Sequence, residues 1–178
     1  MKKTLLLFTT MALALLLAAG TAWAALPAPT VESTGTDPST TPPLTGVVTT
    51  ANITATFSEA MSTKSLQICN HCTSTSSSKT FYLLRGNFTA LSPTKNPPRF
   101  CTNTATGTTA PCPTPIPATV SYNAGTFTAT LNPTSTLLRN TTYTAVVEGT
   151  ADGDKVAVKD TGGTPMATDY IFHFTTAP

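Results

Sequence analysis

The sequence predicts an all-β protein, a two-sheet Greek-key sandwich of about seven strands. Helix-favouring Lys, Glu and Gln are scarce, whereas Thr supplies 37 of the 154 residues after position 24. The branched Thr side chain suits an exposed strand face. Apolar and polar residues alternate with period two in several short segments, and turn-forming residues separate these segments. Such spacing is typical of a sandwich.

The segment at 51–57 shows the alternation most clearly. Ile53, Ala55 and Phe57 share one face, so that face is expected on a core and the other in water. Asn123-Ala124-Gly125 has the composition of a hairpin turn, because Asn and Gly tolerate positive φ. Residues 79–85, KTFYLLR, are apolar on both faces, which is typical of a more central strand. The remaining predicted strands lie near 29–33 and at 118–122, 127–131, 143–147 and 170–174.

Residues 1–24 have the order of a cleaved secretory signal. Lys2 and Lys3 precede an apolar run at 5–19, and small residues end the segment at Ala24. We expect cleavage after Ala24, leaving one domain at 25–178 that is exported and either secreted or associated with the cell envelope. No second apolar segment is long enough to cross a bilayer, so no membrane span is expected after signal removal. The last predicted strand is followed by no apolar tail, and any attachment to the cell is expected to be non-covalent or through a partner.

The predicted mature chain is nearly neutral. Without Lys2 and Lys3, eight basic residues face eight acidic ones. A chain with so few and balanced charges offers no basic surface for phosphate neutralisation. We therefore expect neither nucleic acid nor an anionic membrane surface as a partner.

Four segments together resemble one known family. They are ANITATFSEAM (51–61), TFYLLRG (80–86), ATVSYNAGTFTATLNPTSTLLRNTTYTAVV (118–147) and ATDYIFHFTT (167–176). They resemble the bacterial Ig-like domain first associated with the surface-layer protein SbsA. The resemblance implies an Ig-like sandwich. The sequence departs from the family in its long loop insertions at about 69–79 and 86–117, which we expect to be stapled by disulfides. Domains of this family usually occur as tandem modules, whereas one stands here after a signal.

Four cysteines, which allow three pairings, lie in or beside the insertions. Export to an oxidising compartment favours disulfides. We favour Cys101 with Cys112, which closes a loop and stabilises it by about 3 kcal/mol on the chain-entropy estimate. The second pair is then Cys69 with Cys72. Pairings that join the two insertions stay open, because sequence does not set connectivity.

Metal sites are the main alternative use of these residues. Cys69, His71 and Cys72 (CNHC) lack a second closely spaced ligand pair for zinc, and no βαβ unit supports a redox role. Asp152, Asp154 and Asp160 are candidate calcium ligands, although D-x-D without a closing Glu is not an EF-hand loop.

Glu59 in FSEAM resembles a segment of copper-carrying periplasmic proteins of similar fold. Their copper site uses an N-terminal histidine, whereas this mature chain would begin at Ala25. We interpret Glu59 as fixing the turn after its strand, and we predict no metal and no cofactor.

Catalysis has little support in the sequence. His173 alternates with Phe172 and Phe174, which predicts a solvent-facing strand residue. No nucleophile motif such as G-x-S-x-G accompanies it. We therefore predict no catalytic residues and no enzyme.

The leading functional prediction is a non-catalytic exported module with a structural or adhesive role. Loops on a rigid sandwich are where binding usually lies, so its partner is expected to be a protein or a cell-wall polysaccharide surface. One alternative is an exported protein that binds zinc, copper or calcium. Another is a polysaccharide-contacting accessory domain of an extracellular enzyme system.

Overall fold

The structure, a computed structural model, describes residues 27–33, 44–66, 80–91, 100–150 and 157–178. Within these ranges the secondary structure consists of strands, and no helix is long and apolar enough to cross a membrane. The strands, in chain order, are β1 (Val31–Ser33), β2 (Leu44–Val47), β3 (Ile53–Phe57), β4 (Phe81–Arg85), β5 (Phe88–Leu91), β6 (Phe100–Asn103), β7 (Thr109–Pro111), β8 (Ala118–Asn123), β9 (Thr128–Pro133), β10 (Thr142–Val147) and β11 (Tyr170–Thr176).

Two four-stranded sheets form the sandwich. Their strand orders are β1-β3-β9-β8 and β2-β11-β10-β4. Neighbouring strands are antiparallel except β2 and β11, which are parallel. The chain crosses between the sheets after β1, β2, β3 and β9, so most hydrogen-bonded neighbours are distant in sequence. This arrangement confirms the predicted Ig-like sandwich, and all seven predicted strands are present.

The period-two alternation correctly identified the residues that form the core. Ile53, Ala55 and Phe57 of β3 are fully buried between the sheets, whereas Thr54 and Thr56 are half-buried. The opposite sheet contributes the alternate residues of its own strands, since they point inward in the same way. The largest of these inward side chains are Phe81, Leu83, Tyr143, Phe172 and Phe174.

Tyr143 connects the core to a loop. Its ring stacks on Phe174, with centroids 5.6 Å apart, and its hydroxyl oxygen accepts the backbone N–H of Leu138 at 2.9 Å. A tyrosine at the start of such a strand, bonded to backbone a few residues upstream, recurs in Ig-type sandwiches. The bond fixes the connection between β9 and β10.

The prediction that KTFYLLR is a central strand is wrong. The strand β4 lies at the edge of its sheet, next to β10. It is apolar on both faces because Phe81 and Leu83 face the sandwich core while Tyr82 and Leu84 are covered from outside. Burial by a third layer, rather than a central place in the sheet, explains the sequence pattern.

The turn between β8 and β9 differs in detail from the prediction. The Asn123 side-chain oxygen accepts the N–H of Gly125 at 2.9 Å, which begins the turn. The positive φ, 52°, falls at Phe127, whose carbonyl oxygen accepts the N–H of Phe57 at 3.0 Å. The Phe127 side chain packs against the core. Core packing and that hydrogen bond stabilise a backbone conformation that a large side chain seldom adopts.

Candidate functional site

The described part of the second insertion contains a third sheet, whereas sequence reasoning expected a loop. Residues 88–111 contain β5, β6 and β7, paired in that order and all antiparallel. We call this layer the insertion sheet. Sequence reasoning missed it because its strands have three or four residues, with a register shift in the β5–β6 pair. Strands this short show no readable alternation.

The insertion sheet covers the outer face of β4, β10 and β11 and forms a second, smaller core there. The sandwich contributes three outward-facing side chains to this core, those of Tyr82, Leu84 and Val146. Cys101 of β6 packs onto them. Phe88, Cys112 and Ile171 lie partly buried at the margin of this cluster. The sandwich is therefore a scaffold with one outer face occupied by the inserted layer.

A disulfide between Cys101 and Cys112 locks this layer. The two Cα atoms are 4.9 Å apart, and Cys101 is 1% exposed. The bond joins β6 to the residue that follows β7, beside their backbone pairing of Cys101 with Ala110. The structure thus contains the pairing that loop closure favoured. Cys69, His71 and Cys72 lie outside the described residues, so the predicted Cys69–Cys72 bond stays a prediction.

Polar side chains of the sandwich hold the start of β5. Thr144, fully buried in β10, donates its hydroxyl to the Gly86 carbonyl oxygen at 2.7 Å and accepts the Phe88 N–H at 3.1 Å. From β11, Nε2 of His173 donates to the Phe88 carbonyl oxygen at 2.8 Å. Both backbone polar groups of Phe88 are therefore bound by side chains.

The expectation that His173 faces solvent is wrong. Alternation correctly places it on the outer face of its strand, but that face lies beneath the start of the insertion sheet. The ring is half-buried and bonded to the Phe88 backbone. His173 thus anchors the inserted layer.

The hairpin between β6 and β7, residues 103–108, is exposed apart from half-buried Asn103. We call it the hairpin tip. Residues 104–111 are all exposed, and residues 100–111 carry no charged side chain. The Asn103 side-chain oxygen accepts the Ala105 N–H at 2.9 Å, and the Asn103 carbonyl oxygen accepts the Gly107 N–H at 2.8 Å. The Thr106 and Thr108 hydroxyl oxygens are 2.7 Å apart.

These hydrogen bonds order the hairpin tip while leaving hydroxyl and amide groups at the surface. A hydroxyl both donates and accepts, as a sugar hydroxyl or a peptide group does. The surface is therefore suited to neutral, hydrogen-bonding partners rather than to charged ones.

A cleft lies at the end of the sandwich. The cleft has a volume of about 220 Å³ and is formed by the loop before β3, the end of β9 and the segment that follows β9. The Thr49 carbonyl oxygen accepts the Leu137 N–H at 2.9 Å and joins the two sides. The cleft contains no charged side chain, and its residues are Thr49, Thr50, Ala51, Asn132, Pro133, Thr134, Ser135 and Thr136.

The candidate calcium ligands are only partly described. Asp160 is 2% exposed, and its Oδ1 accepts the Thr164 N–H at 2.7 Å while its own N–H donates to the Thr164 carbonyl oxygen at 2.9 Å. It therefore organises a turn. Asp152 and Asp154 lie outside the described residues. In the part of the chain that the structure describes, no three His, Cys, Asp or Glu side chains are grouped as a metal would require.

Ser58, the first residue after β3, extends the pairing of β3 with the segment of β1. Its N–H donates to the Thr30 carbonyl oxygen at 2.9 Å, and its side-chain oxygen accepts the Thr30 N–H at 3.1 Å. Glu59, the next residue, is half-buried. These bonds join Ser58 to the residue before β1, and the role predicted for Glu59 in the turn after β3 stays a prediction.

Sequence reasoning also missed a buried acidic residue. Glu148, 1% exposed, accepts a hydrogen bond from the Tyr82 hydroxyl. The available signal was a single carboxylate directly after the apolar strand β10. A buried carboxylate requires hydrogen-bonding partners, and Tyr82 under the insertion sheet supplies one.

Comparison with known families identifies the architecture. A family model described as a bacterial Ig-like domain matches residues 27–176. The chain belongs to the bacterial Ig-like domain family. The match extends across the insertion sheet, and it confirms the resemblance seen in the sequence. A search of the curated proteins found no match.

Three solved structures to which the chain is similar are of the surface-layer protein SbsC. The S-layer protein rSbsC is 20% identical with a TM-score of 0.44, and the alignment covers 85% of this bacterial Ig-like domain and 14% of that chain. Domains 1–6 of SbsC are 18% identical with a TM-score of 0.46, and the alignment covers 85% of this chain and 14% of that one. The N-terminal part of SbsC is 20% identical with a TM-score of 0.44, and the alignment covers 85% of this chain and 24% of that one. The chain thus spans a quarter or less of the length of these proteins.

Proposed function

We propose that this bacterial Ig-like domain is a non-catalytic exported module with a structural or adhesive role at the cell envelope or outside the cell. The observation that carries the proposal is the insertion sheet. A disulfide-locked layer on the outside of a rigid sandwich presents an ordered, uncharged surface of hydroxyl and amide groups at the hairpin tip. Membership of the family supports an envelope location.

The chemistry of the hairpin tip favours a neutral, hydroxyl-bearing polymer such as a cell-wall polysaccharide. Thr104 donates to the Asn87 side-chain oxygen at 2.9 Å, so neighbouring groups hold the threonines in place before any partner binds. Ordering a surface in advance reduces the entropy lost on binding. Single contacts of this kind are weak, so an adhesive role depends on many copies binding a repeating surface.

Retention on purified cell-wall polysaccharide tests this function. We expect the oxidised mature protein to bind, and Thr106→Ala with Thr108→Ala to reduce binding at least about fivefold, since each change removes a hydroxyl worth roughly 0.5–1.5 kcal/mol. The matched control is Thr126→Ala with Thr161→Ala, which removes two exposed hydroxyls away from the insertion sheet. Equal loss in both variants, or no retention of the parent protein, would refute the role of the hairpin tip.

A further inference from the structure

The edges of the three sheets differ in how they are protected. An edge strand exposes unpaired N–H and C=O groups to other chains, and natural proteins block such pairing with short strands, bulges, proline or charge. The strands β1 and β7 have three residues each, and β7 ends at Pro111. Register shifts interrupt the pairing of β2 with β11 and the pairing of β5 with β6. The strand β4 ends in exposed Arg85, and its Leu83 carbonyl oxygen accepts the Ile116 N–H at 2.8 Å.

The edge strand β8 has none of these protections. It runs for six residues, ATVSYN, with no charge and no proline, and its register with β9 is unbroken. Among the described strands, β9 is its only neighbour in the sheet. Its outer face presents exposed Thr119, Ser121 and Asn123, and Val120 and Tyr122 on the inner face are only half-buried. The edge therefore offers both backbone hydrogen bonds and apolar surface.

We propose that the β8 edge pairs antiparallel with the β8 edge of a second copy of this chain. The two four-stranded sheets would then form one eight-stranded sheet across a two-fold axis. With Ser121 on the axis, Thr119 of one copy faces Asn123 of the other and Val120 faces Tyr122. Residues keep their faces in this register, because i and its partner are separated by an even number of positions. Such an isologous contact closes as a dimer.

Pairs of small polar side chains are already a stabilising feature of this protein. Thr56 and Thr128 hydroxyl oxygens are 3.0 Å apart across β3 and β9, and those of Thr142 and Thr175 are 2.9 Å apart across β10 and β11. Antiparallel pairing of β8 with itself would create contacts of the same kind at positions 119, 121 and 123. No charged residue lies on β8, so self-pairing opposes no like charges. These features favour a second copy over a charged partner strand.

Sedimentation of the oxidised mature protein over a concentration series tests the dimer. We expect the mass to rise from one chain to two. Ser121→Lys places two ammonium groups opposite each other on the axis, so it should raise the dimer dissociation constant at least about tenfold. The control Asn132→Lys changes an exposed residue of β9, one strand away from the edge, and should leave dimerisation unaltered. Circular dichroism checks that both variants fold.

Cross-linking tests the register. Opposed residues in an antiparallel pair have Cα atoms about 4.5–5.5 Å apart, which is within disulfide range. Oxidised Ser121→Cys should therefore form a covalent dimer through position 121, and Asn132→Cys should not. A parent protein that stays monomeric throughout the series, a Ser121→Lys variant that dimerises normally, or equal cross-linking of the two cysteine variants would overturn the proposal.

Discussion

Thr144 shows how one buried hydroxyl joins two layers of this protein. It is fully buried in β10, yet its side chain both donates to Gly86 and accepts from Phe88 across the boundary to the insertion sheet. Burying such backbone groups without partners costs more than the hydrogen bonds themselves contribute. Thr144 therefore stabilises the attachment of the insertion sheet, because without its hydroxyl the Gly86 carbonyl and the Phe88 N–H would be buried without this hydrogen-bond partner.

Thr144→Val tests this role with little change in side-chain shape. We expect the free energy of unfolding to fall by about 2 kcal/mol, since the Phe88 N–H and the Gly86 carbonyl lose their partner. Urea unfolding of the oxidised protein measures it. Thr142→Val on the same strand is the control, because its half-buried hydroxyl bonds Thr175 and water can replace that contact, so a loss below about 1 kcal/mol is expected. Equal losses would contradict the argument.

In the part of the chain that the structure describes, the disulfide lies in the insertion sheet. Its three strands are short, and a small sheet of this kind is marginal without packing or a cross-link. Cys101–Cys112 restricts the unfolded chain and places Cys101 against Tyr82, Leu84 and Val146. The sandwich itself has a separate, larger core. The layer should therefore be able to loosen while the sandwich stays folded.

Cys101→Ala with Cys112→Ala should lower the unfolding free energy by about 3 kcal/mol and speed amide hydrogen exchange in β6 and β7. Exchange in β3 and β9, which lie in the opposite sheet, should change much less. The control Thr102→Ala with Thr109→Ala removes the hydroxyl contact between the same two strands, 3.1 Å, and keeps the disulfide. The result against the prediction would be unchanged exchange in β6, or the same acceleration in all strands.

The whole molecule combines an Ig-type sandwich with an inserted outer layer. Its signal peptide and its second cysteine pair are predictions from sequence. Both predictions change the molecular mass expected for the exported protein. Residues 1–24 should be absent from the exported protein, and both cysteine pairs should be oxidised. The metal alternative predicts instead free thiols at Cys69 and Cys72 or a bound ion.

Intact mass spectrometry of protein recovered from the exterior of the producing cells distinguishes these cases. We expect the mass of residues 25–178 reduced by about four hydrogens, with no thiol alkylation before reduction. Protein treated with reductant is the control and should take up four alkyl groups. Alkylation of Cys69 and Cys72 without reduction, or a native mass that includes a metal ion, would favour the alternative that the CNHC segment binds metal.

Strand positions and the inward residues followed from the amino-acid pattern because side-chain direction alternates along any strand. Alternation assigned Ile53, Ala55 and Phe57 to the core without any information about the strands that pair with theirs. The Cys101–Cys112 pair was favoured by the short loop that it closes and by the predicted secretory signal. Both features can be read from short segments of the sequence. The family was equally visible, since its motifs lie on the strands and their turns.

The third layer depends on contacts between residues far apart in the chain, and local patterns do not contain them. Alternation placed His173 on an outer face, but the presence of β5 above that face is a property of the folded chain. KTFYLLR was apolar on both sides for the same reason. Its outer side chains are buried by an insertion whose strands are too short to read. Sequence period determines which face a residue takes, and tertiary packing decides what covers that face.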